Sequence, residues 1–303
     1  MLKPKGQKGK TMVKTMISAN TMEARVSAIN SILEKEGAEF TAEYVKVWKN
    51  NREFEGYTLR SATYNCSPTI YNGDWLDADD EDVAAYLMNL YDENVMDFDI
   101  NTVLSWDYIL KNVKPKLIST ANTDGLKARN IVTVPFLDML ISFYIPISGL
   151  PGNAMGSVQV TEMLIKNADI TVEELHSMAL NNLEGDFGIQ SMGEILAELM
   201  GNTFDTCGME LPMYVISNVS RVNGAAAILS KNALERVIGL LGEKIAILPS
   251  SIHECIAIGY RTEEDLHSLI EMVRSINATV VDIDDKLTDN VYIYEKGELR
   301  AVA

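Results

Sequence analysis

Apolar residues recur with helical spacing near the beginning of the chain. Val26, Ile29 and Leu33 are three or four residues apart, which is typical of the apolar face of a helix. Gly37 follows, and glycine is common just past a helix C-terminus. We therefore predict a helix over residues 21–36.

The pattern then changes to segments rich in β-branched and aromatic residues. Residues 40–49 and 56–62 are two such segments, and the polar residues 50–53 separate them. This arrangement predicts a β-hairpin, to which residues 68–71 add a third strand. Helices are expected over residues 83–91 and 101–112.

The middle of the chain contains a long apolar segment, residues 136–145. Its continuity predicts one central strand that is covered on both faces. Asp138 lies inside this segment and has two possible interpretations: a catalytic carboxylate, or a hydrogen-bonded residue at the start of the strand. Thr171 and Glu174 form a capping-box pattern that opens a further helix.

The last third alternates strands and helices in the order β-β-α-β-β-α-β. The fold class is therefore α+β, with antiparallel or mixed sheets and helices packed on one face. We predict a basic flexible tail at residues 1–14, an N-terminal α+β region at 15–205 and a C-terminal α+β module at 206–303. The strands of this module are expected at residues 213–218, 222–229, 244–248, 252–258 and 291–294.

Composition indicates a globular protein with reduced thiols. The chain is 47% hydrophobic and 23% charged, a balance typical of globular proteins. It has only three cysteines, none of them in a C-x-x-C pair, and this sparse, odd number favours a cytoplasmic location. The longest apolar run is too short for a membrane helix. We predict no export signal and no membrane association.

The charge distribution limits the possible partners. The net charge is −17, whereas the first 14 residues hold five lysines and no acid. Such an acidic body repels phosphate backbones, so nucleic acid is an improbable partner and a basic protein is a better one. The basic start is a disordered, solubilising terminus or an arm that contacts an acidic partner or nucleic acid.

The usual catalytic and cofactor motifs are absent. The sequence has no phosphate-binding loop, dinucleotide fingerprint, nucleophile elbow or H-E-x-x-H motif, so no cofactor is predicted. With only His176, His253 and His267, a histidine-rich metal site is not expected. Acidic residues 77–82 are interpreted as a helix cap and residues 282–290 as a solvated loop, with cation binding as the alternative for each.

One segment, residues 248–255, concentrates chemically active side chains. Ser251, His253 and Glu254 are the candidate catalytic residues, with Cys255 as a second possible nucleophile. If the segment is a strand, Glu254 faces away from the other three, and side chains two residues apart are about 7 Å apart. The alternative is a polar turn whose serines bond to the local backbone.

Several short strings resemble one protein family. The most specific is Ile-Leu-Pro-Ser-Ser-Ile-His-Glu at residues 247–254; weaker ones follow in the expected order at 65–71, 135–138, 171–175, 213–218, 224–227, 277–279 and 289–292. Over about residues 60–295 the chain is similar to domain of unknown function 5688, although its lysine-rich start departs from that pattern. The resemblance implies a bacterial or phage origin and transfers no catalytic residues.

Three functions are therefore considered. The leading hypothesis is a non-enzymatic, acidic binding or accessory protein of a bacterium, phage or mobile element. The alternatives are a hydrolase or transferase centred on the Ser-Ser-Ile-His-Glu segment, and a structural or assembly subunit.

Overall fold

The computed structural model describes residues 19–63, 67–71, 78–94, 104–147, 156–200, 213–249 and 251–302. The predicted tail at residues 1–14 lies outside this part of the chain. The protein divides into two compact units. The smaller contains Met1–Val47 and Glu55–Phe98, and the larger contains Trp48–Phe54 and Asp99–Ala303.

The smaller unit combines two helices with a three-stranded sheet. Its elements are α1 (Ala19–Lys35), β1 (Phe40–Lys49), β2 (Arg52–Ser61), β3 (Thr69–Tyr71) and α2 (Asp80–Asn94), and the sheet order is β1-β2-β3. The predicted helix, hairpin and third strand are confirmed. The core joins one face of each helix to the sheet and includes Ile29, Leu33, Tyr57, Leu59, Val83 and Leu87.

The first part of the larger unit is built around one buried central strand. Its elements are α3 (Trp106–Asn112), β4 (Lys114–Ser119), a 3-10 turn (Thr120–Asn122), α4 (Thr123–Ala128), β5 (Thr133–Phe136), β6 (Met139–Ile147), β7 (Gly156–Gln159), α5 (Glu162–Asn167) and α6 (Val172–Leu183). Strand β6 pairs antiparallel with β4 along one edge and with β5 and β7 along the other. Seven consecutive residues of β6 are buried, which confirms the prediction of a doubly covered strand.

The apolar segment at 136–145 is not a single strand, and this part of the prediction was wrong. A turn at Leu137 and Asp138 divides it into the end of β5 and the start of β6. Leu137 has a φ of 53°, a conformation that reverses the chain and that leucine rarely adopts. Hydrophobicity alone could not mark the turn, because a leucine occupies it.

The second part of the larger unit forms a six-stranded antiparallel sheet. Its elements are β8 (Gly188–Ser191), α7 (Met192–Met200), β9 (Met213–Ser217), a 3-10 helix (Gly224–Leu229), α8 (Lys231–Leu241), β10 (Ile245–Leu248), β11 (Cys255–Gly259), α9 (Glu263–Thr279), β12 (Tyr292–Glu295) and β13 (Glu298–Ala301). The strand order is β13-β12-β10-β11-β9-β8. Because β8 pairs with β9, this sheet spans the predicted boundary near residue 205, which itself falls outside the described residues.

The strand predicted over residues 222–229 is a 3-10 helix, so the expected order of the C-terminal module is corrected. Arg221 and Asn223 have φ values of 54° and 56°, and these left-handed residues end the extended backbone after β9. Gly224 then packs so closely that a Cβ atom would lie 2.1 Å from Ser217 Oγ. The small residues at 224–227 are therefore explained by the close approach of this 3-10 helix to its neighbours, and not by pairing in the sheet.

Local helix signals agree with the structure. Thr171 and Glu174 form a complete capping box, and so do Thr262 and Asp265. Gly242, with a φ of 88°, follows α8 directly. Among the described residues, no helix has both the length and the apolar character needed to cross a membrane.

Candidate functional site

Residues 251–254 form a tight turn directly before β11. The strand begins at Cys255 rather than at the predicted residue 252. Ser251 Oγ accepts a hydrogen bond of 3.0 Å from the backbone N–H of His253, and the Ser251 N–H donates to Glu254 O at 3.2 Å. The bond between Ser251 and His253 therefore joins a side chain to the backbone and does not involve the imidazole ring.

Both ring nitrogens of His253 are engaged by other groups. Nδ1 accepts a hydrogen bond of 3.2 Å from the backbone N–H of Asn223. Nε2 lies 3.5 Å from Asp285 Oδ1. Since Nδ1 acts as an acceptor, the neutral ring carries its proton on Nε2, facing the carboxylate. Neither nitrogen is directed at the hydroxyl of Ser251.

Three other segments are linked to the same turn through hydrogen bonds to its backbone groups. The Ile252 N–H donates to Asp285 O at 2.8 Å, and Ile252 O accepts from the N–H of Ala225 at 3.2 Å. His253 O accepts a hydrogen bond of 2.8 Å from Ser217 Oγ. These contacts match the interpretation of the segment as a polar turn, and its residues hold neighbouring loops together.

Cys255 is separated from this turn by burial. Its side chain is fully buried, and Sγ lies 3.8 Å from Ala225 O. Burial raises the pKa of the Cys255 thiol well above its usual value, and the nearby charge of Glu254 adds to the effect. Because the thiolate is the reactive form, this thiol is a poor nucleophile.

Glu254 instead lines a cavity of about 330 Å³ beside β8, β9 and the start of α7. Arg221, Gln190 and Asn218 lie on the same cavity, as do the apolar residues Met192 and Ile195. The Arg221 guanidinium donates to Gln190 Oε1, and Gln190 Nε2 donates to Glu198 Oε1 at 3.0 Å. We refer to this space as the Arg221–Glu254 cavity.

Asp138 is hydrogen-bonded at the turn before β6, as one of its two interpretations predicts. Its carboxylate accepts from Thr288 Oγ1, Asn290 Nδ2 and the hydroxyl of Tyr292. Burial acts to raise the pKa of Asp138, but the three hydrogen bonds hold it below its ordinary value. The group is a charged anchor that ties this turn to β12 and the loop before it.

Several carboxylates of the two acidic segments have partners within the protein. In the first, Asp79 Oδ1 accepts from the N–H of Asp82 at the start of α2, which confirms the helix-cap interpretation for that residue; Asp77 lies outside the described residues. In the second, Asp284 pairs with Arg52 at 2.7 Å and Asp289 with Lys286 at 2.9 Å. No group of three His, Cys, Asp or Glu side chains in the described ranges is arranged to hold a metal ion.

Two polar residues in the central sheet were missed. Lys116 of β4 lies directly opposite Ser142 of β6. Burial, together with the nearby charge of Lys49, lowers the pKa of Lys116 to about 8. The buried hydroxyl of Ser142 has no hydrogen-bond partner within the described part of the chain. Their pairing depends on strand register, which the local sequence does not show.

Of the two other histidines, one is at the surface and one is not. His267 is exposed on α9, whereas His176 is half-buried and its ring packs edge-on against Phe143, with centroids 6.0 Å apart. Burial lowers the pKa of His176. Although acidic residues precede it in the sequence, His176 therefore lies on the side of α6 that faces the sheet.

A family model matches the chain over residues 22–296, which extends the resemblance found from short strings toward the N-terminus. No curated protein and no solved structure matches it significantly. The match includes both compact units and all of the candidate residues above. The chain therefore belongs to the family of unknown function known as DUF5688.

Proposed function

We propose that the protein is a non-enzymatic, acidic binding protein that recognises a basic protein partner in the cytoplasm. In this proposal it serves as an accessory factor of a bacterium, phage or mobile element. The observation that carries the proposal is the charge of α2, supported by the net charge of −17. The acidic body disfavours nucleic acid as the partner.

Helix α2 contains five acidic residues and no basic one within Asp80–Asn94. Asp80 is paired with Arg25 at 2.9 Å. Asp92 and Glu93 lie near the C-terminal end, where the helix dipole disfavours negative charge. Carboxylates at that end cost helix stability, so we attribute them to recognition rather than to folding.

The exposed side of α2 combines these charges with an aromatic ring. Asp82, Tyr86, Asp92 and Glu93 are all exposed. Asp82, Tyr86 and Glu93 are four and seven residues apart, which places them along one side of the helix, and Asp92 flanks that side. Acidic groups around an aromatic residue suit the lysine and arginine side chains of a basic protein. We call this set the α2 acidic stripe.

The test uses the full chain as bait in an affinity capture from the lysate of its native cell, at about 0.1 M and 0.5 M salt. The variant Asp82→Asn/Asp92→Asn/Glu93→Gln removes three charges from the α2 acidic stripe. The control Glu243→Gln/Glu264→Gln/Glu271→Gln removes three exposed charges elsewhere. We expect one basic protein to be retained at low salt by the wild type and the control, and to be lost at high salt and from the stripe variant.

Retention of that protein by the stripe variant would contradict the proposal, and so would the absence of any partner at both salt concentrations. A stable homo-oligomer without a heterologous partner would favour the structural or assembly subunit instead. Mass spectrometry of the captured material and light scattering of the purified chain distinguish these results.

The hydrolase or transferase centred on Ser251, His253 and Glu254 stays an alternative hypothesis. The contacts of His253 favour a structural role, because its ring holds the N–H of Asn223. We expect His253→Ala to lower the free energy of unfolding by about 1 kcal/mol, because it leaves the partly buried N–H of Asn223 without its hydrogen-bond acceptor. A hydrolytic activity that this substitution abolishes at unchanged melting temperature would establish the enzyme hypothesis.

A further inference from the structure

We propose that the Arg221–Glu254 cavity binds a zwitterionic small molecule of the amino-acid class, with its carboxylate on Arg221, its ammonium on Glu254 and its side chain against Met192 and Ile195. This site shares no residue with the α2 acidic stripe, so each of the two proposals can be tested without the other.

The cavity presents two opposite charges that do not pair with each other. Both Arg221 and Glu254 line it, and neither takes part in an ion pair within the described ranges. Arg221 is exposed and Glu254 is half-buried, so both charged groups are accessible to a ligand in the cavity, and each can form a charged hydrogen bond with it. A ligand that carries both charges compensates both groups at once.

The position of Glu254 follows from the register of the sheet. Cys255 pairs with Ile216, and both face the buried core. Glu254 is the last residue of the turn before β11, and Ser217 and Gly188, which pair with each other in the neighbouring strands, line the same cavity. Its place directly before β11 therefore puts Glu254 beside the cavity.

Arg221 belongs to a short loop that is held by hydrogen bonds. Asn218 Nδ2 donates to Val222 O at 2.8 Å, and Asn218 Oδ1 accepts from the N–H of Val222 at 3.2 Å. These bonds close the loop that contains Arg221. The φ of Arg221 is 54°, which is uncommon for a residue with a side chain. Gln190 accepts a hydrogen bond from the guanidinium and is itself held by Glu198, so Gln190 is a positioning residue.

Size and lining select the ligand class. A volume of about 330 Å³ is at the lower end of the range for small-molecule sites, which suits a metabolite rather than a peptide or a nucleotide. Met192, Ile195 and Val215 supply the apolar part of the lining. A zwitterion with an apolar side chain matches the two charges and this apolar wall together.

Isothermal titration calorimetry of the full chain tests the proposal with defined probes. The probes are the twenty standard L-amino acids. Two analogues of leucine are then titrated: leucinamide, which has only the ammonium, and 4-methylpentanoate, which has only the carboxylate. We expect at least one apolar amino acid to bind. Each single-charge analogue should bind about tenfold or more weakly, since a charged hydrogen bond is lost.

Two single variants assign the contacts. Arg221→Gln and Glu254→Gln should each weaken amino-acid binding by about tenfold or more. The matched controls Arg236→Gln and Glu243→Gln change exposed residues away from the cavity and should leave it unchanged. Thermal unfolding of each variant verifies that it is folded, and Arg221→Lys replaces Arg221→Gln if that variant does not fold.

The proposal is overturned if none of the twenty amino acids binds at millimolar concentration, if a single-charge analogue binds as tightly as its zwitterion, or if both cavity variants retain wild-type affinity. None of these results would affect the capture experiment on the α2 acidic stripe. Conversely, loss of the basic partner from the stripe variant would leave amino-acid binding intact.

Discussion

At the scale of single residues, the most unusual group is Lys116 in β4. Lys116 is opposite Ser142 in the strand register, and burial, together with the nearby charge of Lys49, lowers its pKa from 10.5 to about 8. A lowered lysine pKa means that the charged form is less stable in the folded protein than in the unfolded chain. Lys116 therefore destabilises the fold at neutral pH.

Lys116→Met should stabilise the protein at pH 7 by about 1–2 kcal/mol, less than the full shift implies because Lys116 keeps some contact with solvent. Below pH 8 both states of the wild type are protonated at this group, and the penalty is complete. Between pH 8 and 10.5 the folded state loses the proton first, so wild-type stability rises relative to the variant. Denaturant unfolding at about pH 7 and pH 9.5 measures the difference.

The control for this change is Lys111→Met, which removes an exposed lysine from α3. We expect Lys111→Met to change the free energy of unfolding by only about a few tenths of a kcal/mol, with little dependence on pH in this window. A stability difference between Lys116→Met and the wild type that stays constant from pH 7 to 9.5 would show that the lysine is not destabilised by burial.

Residue-scale prediction from the sequence succeeded where the partners are local. Ser251 bonds to the backbone two residues away, as its place in a polar turn suggests. The partners of Asp138 are about 150 residues distant, yet its role as a hydrogen-bonded group was predictable, since a partly buried carboxylate needs donors. The identity of those donors was not, because it depends on which segments meet.

At the scale of secondary-structure elements, the 3-10 helix at Gly224–Leu229 is where packing overrides local pattern. Ser217 Oγ, His253 O and Asn218 N would all lie within 2.7 Å of a Cβ atom on Gly224. The glycine thus allows the helix to approach β9 and the turn at His253. A strand at this point would remove those contacts.

Gly224→Ala should destabilise the protein by about 1–3 kcal/mol, because two of the three close atoms belong to the backbone and cannot move independently. Gly239→Ala is the matched control. It lies inside α8, where nothing approaches the added methyl group within 4 Å, and alanine should stabilise the helix by about 0.5–1 kcal/mol. Denaturant unfolding of both variants gives the two values, and similar effects in the same direction would contradict this account.

At the scale of the whole molecule, hydrogen bonds between segments that are far apart in the sequence hold the larger unit together. The tip of the β1–β2 hairpin belongs to this unit. There the fully buried Asn122 donates to Asn50 Oδ1 at 3.0 Å and Asn51 Oδ1 at 3.1 Å. Asn51 in turn donates to Ile283 O and Lys286 O. In the sequence, the Asn50-Asn51 pair between two strands looks like an ordinary exposed turn, and nothing local shows that Asn50 is buried.

The sequence by itself determined the α+β class, the helices with their caps, the hairpin and the buried β6, because propensity, capping and hydrophobic period act over a few neighbouring residues. The tertiary structure alone decided that β8 joins β9, that residues 224–229 form a 3-10 helix and that Arg221 and Glu254 share one cavity. Each of these depends on groups far apart in the chain. Their contact is set by strand register and close packing, which a local pattern of apolar and polar positions does not contain.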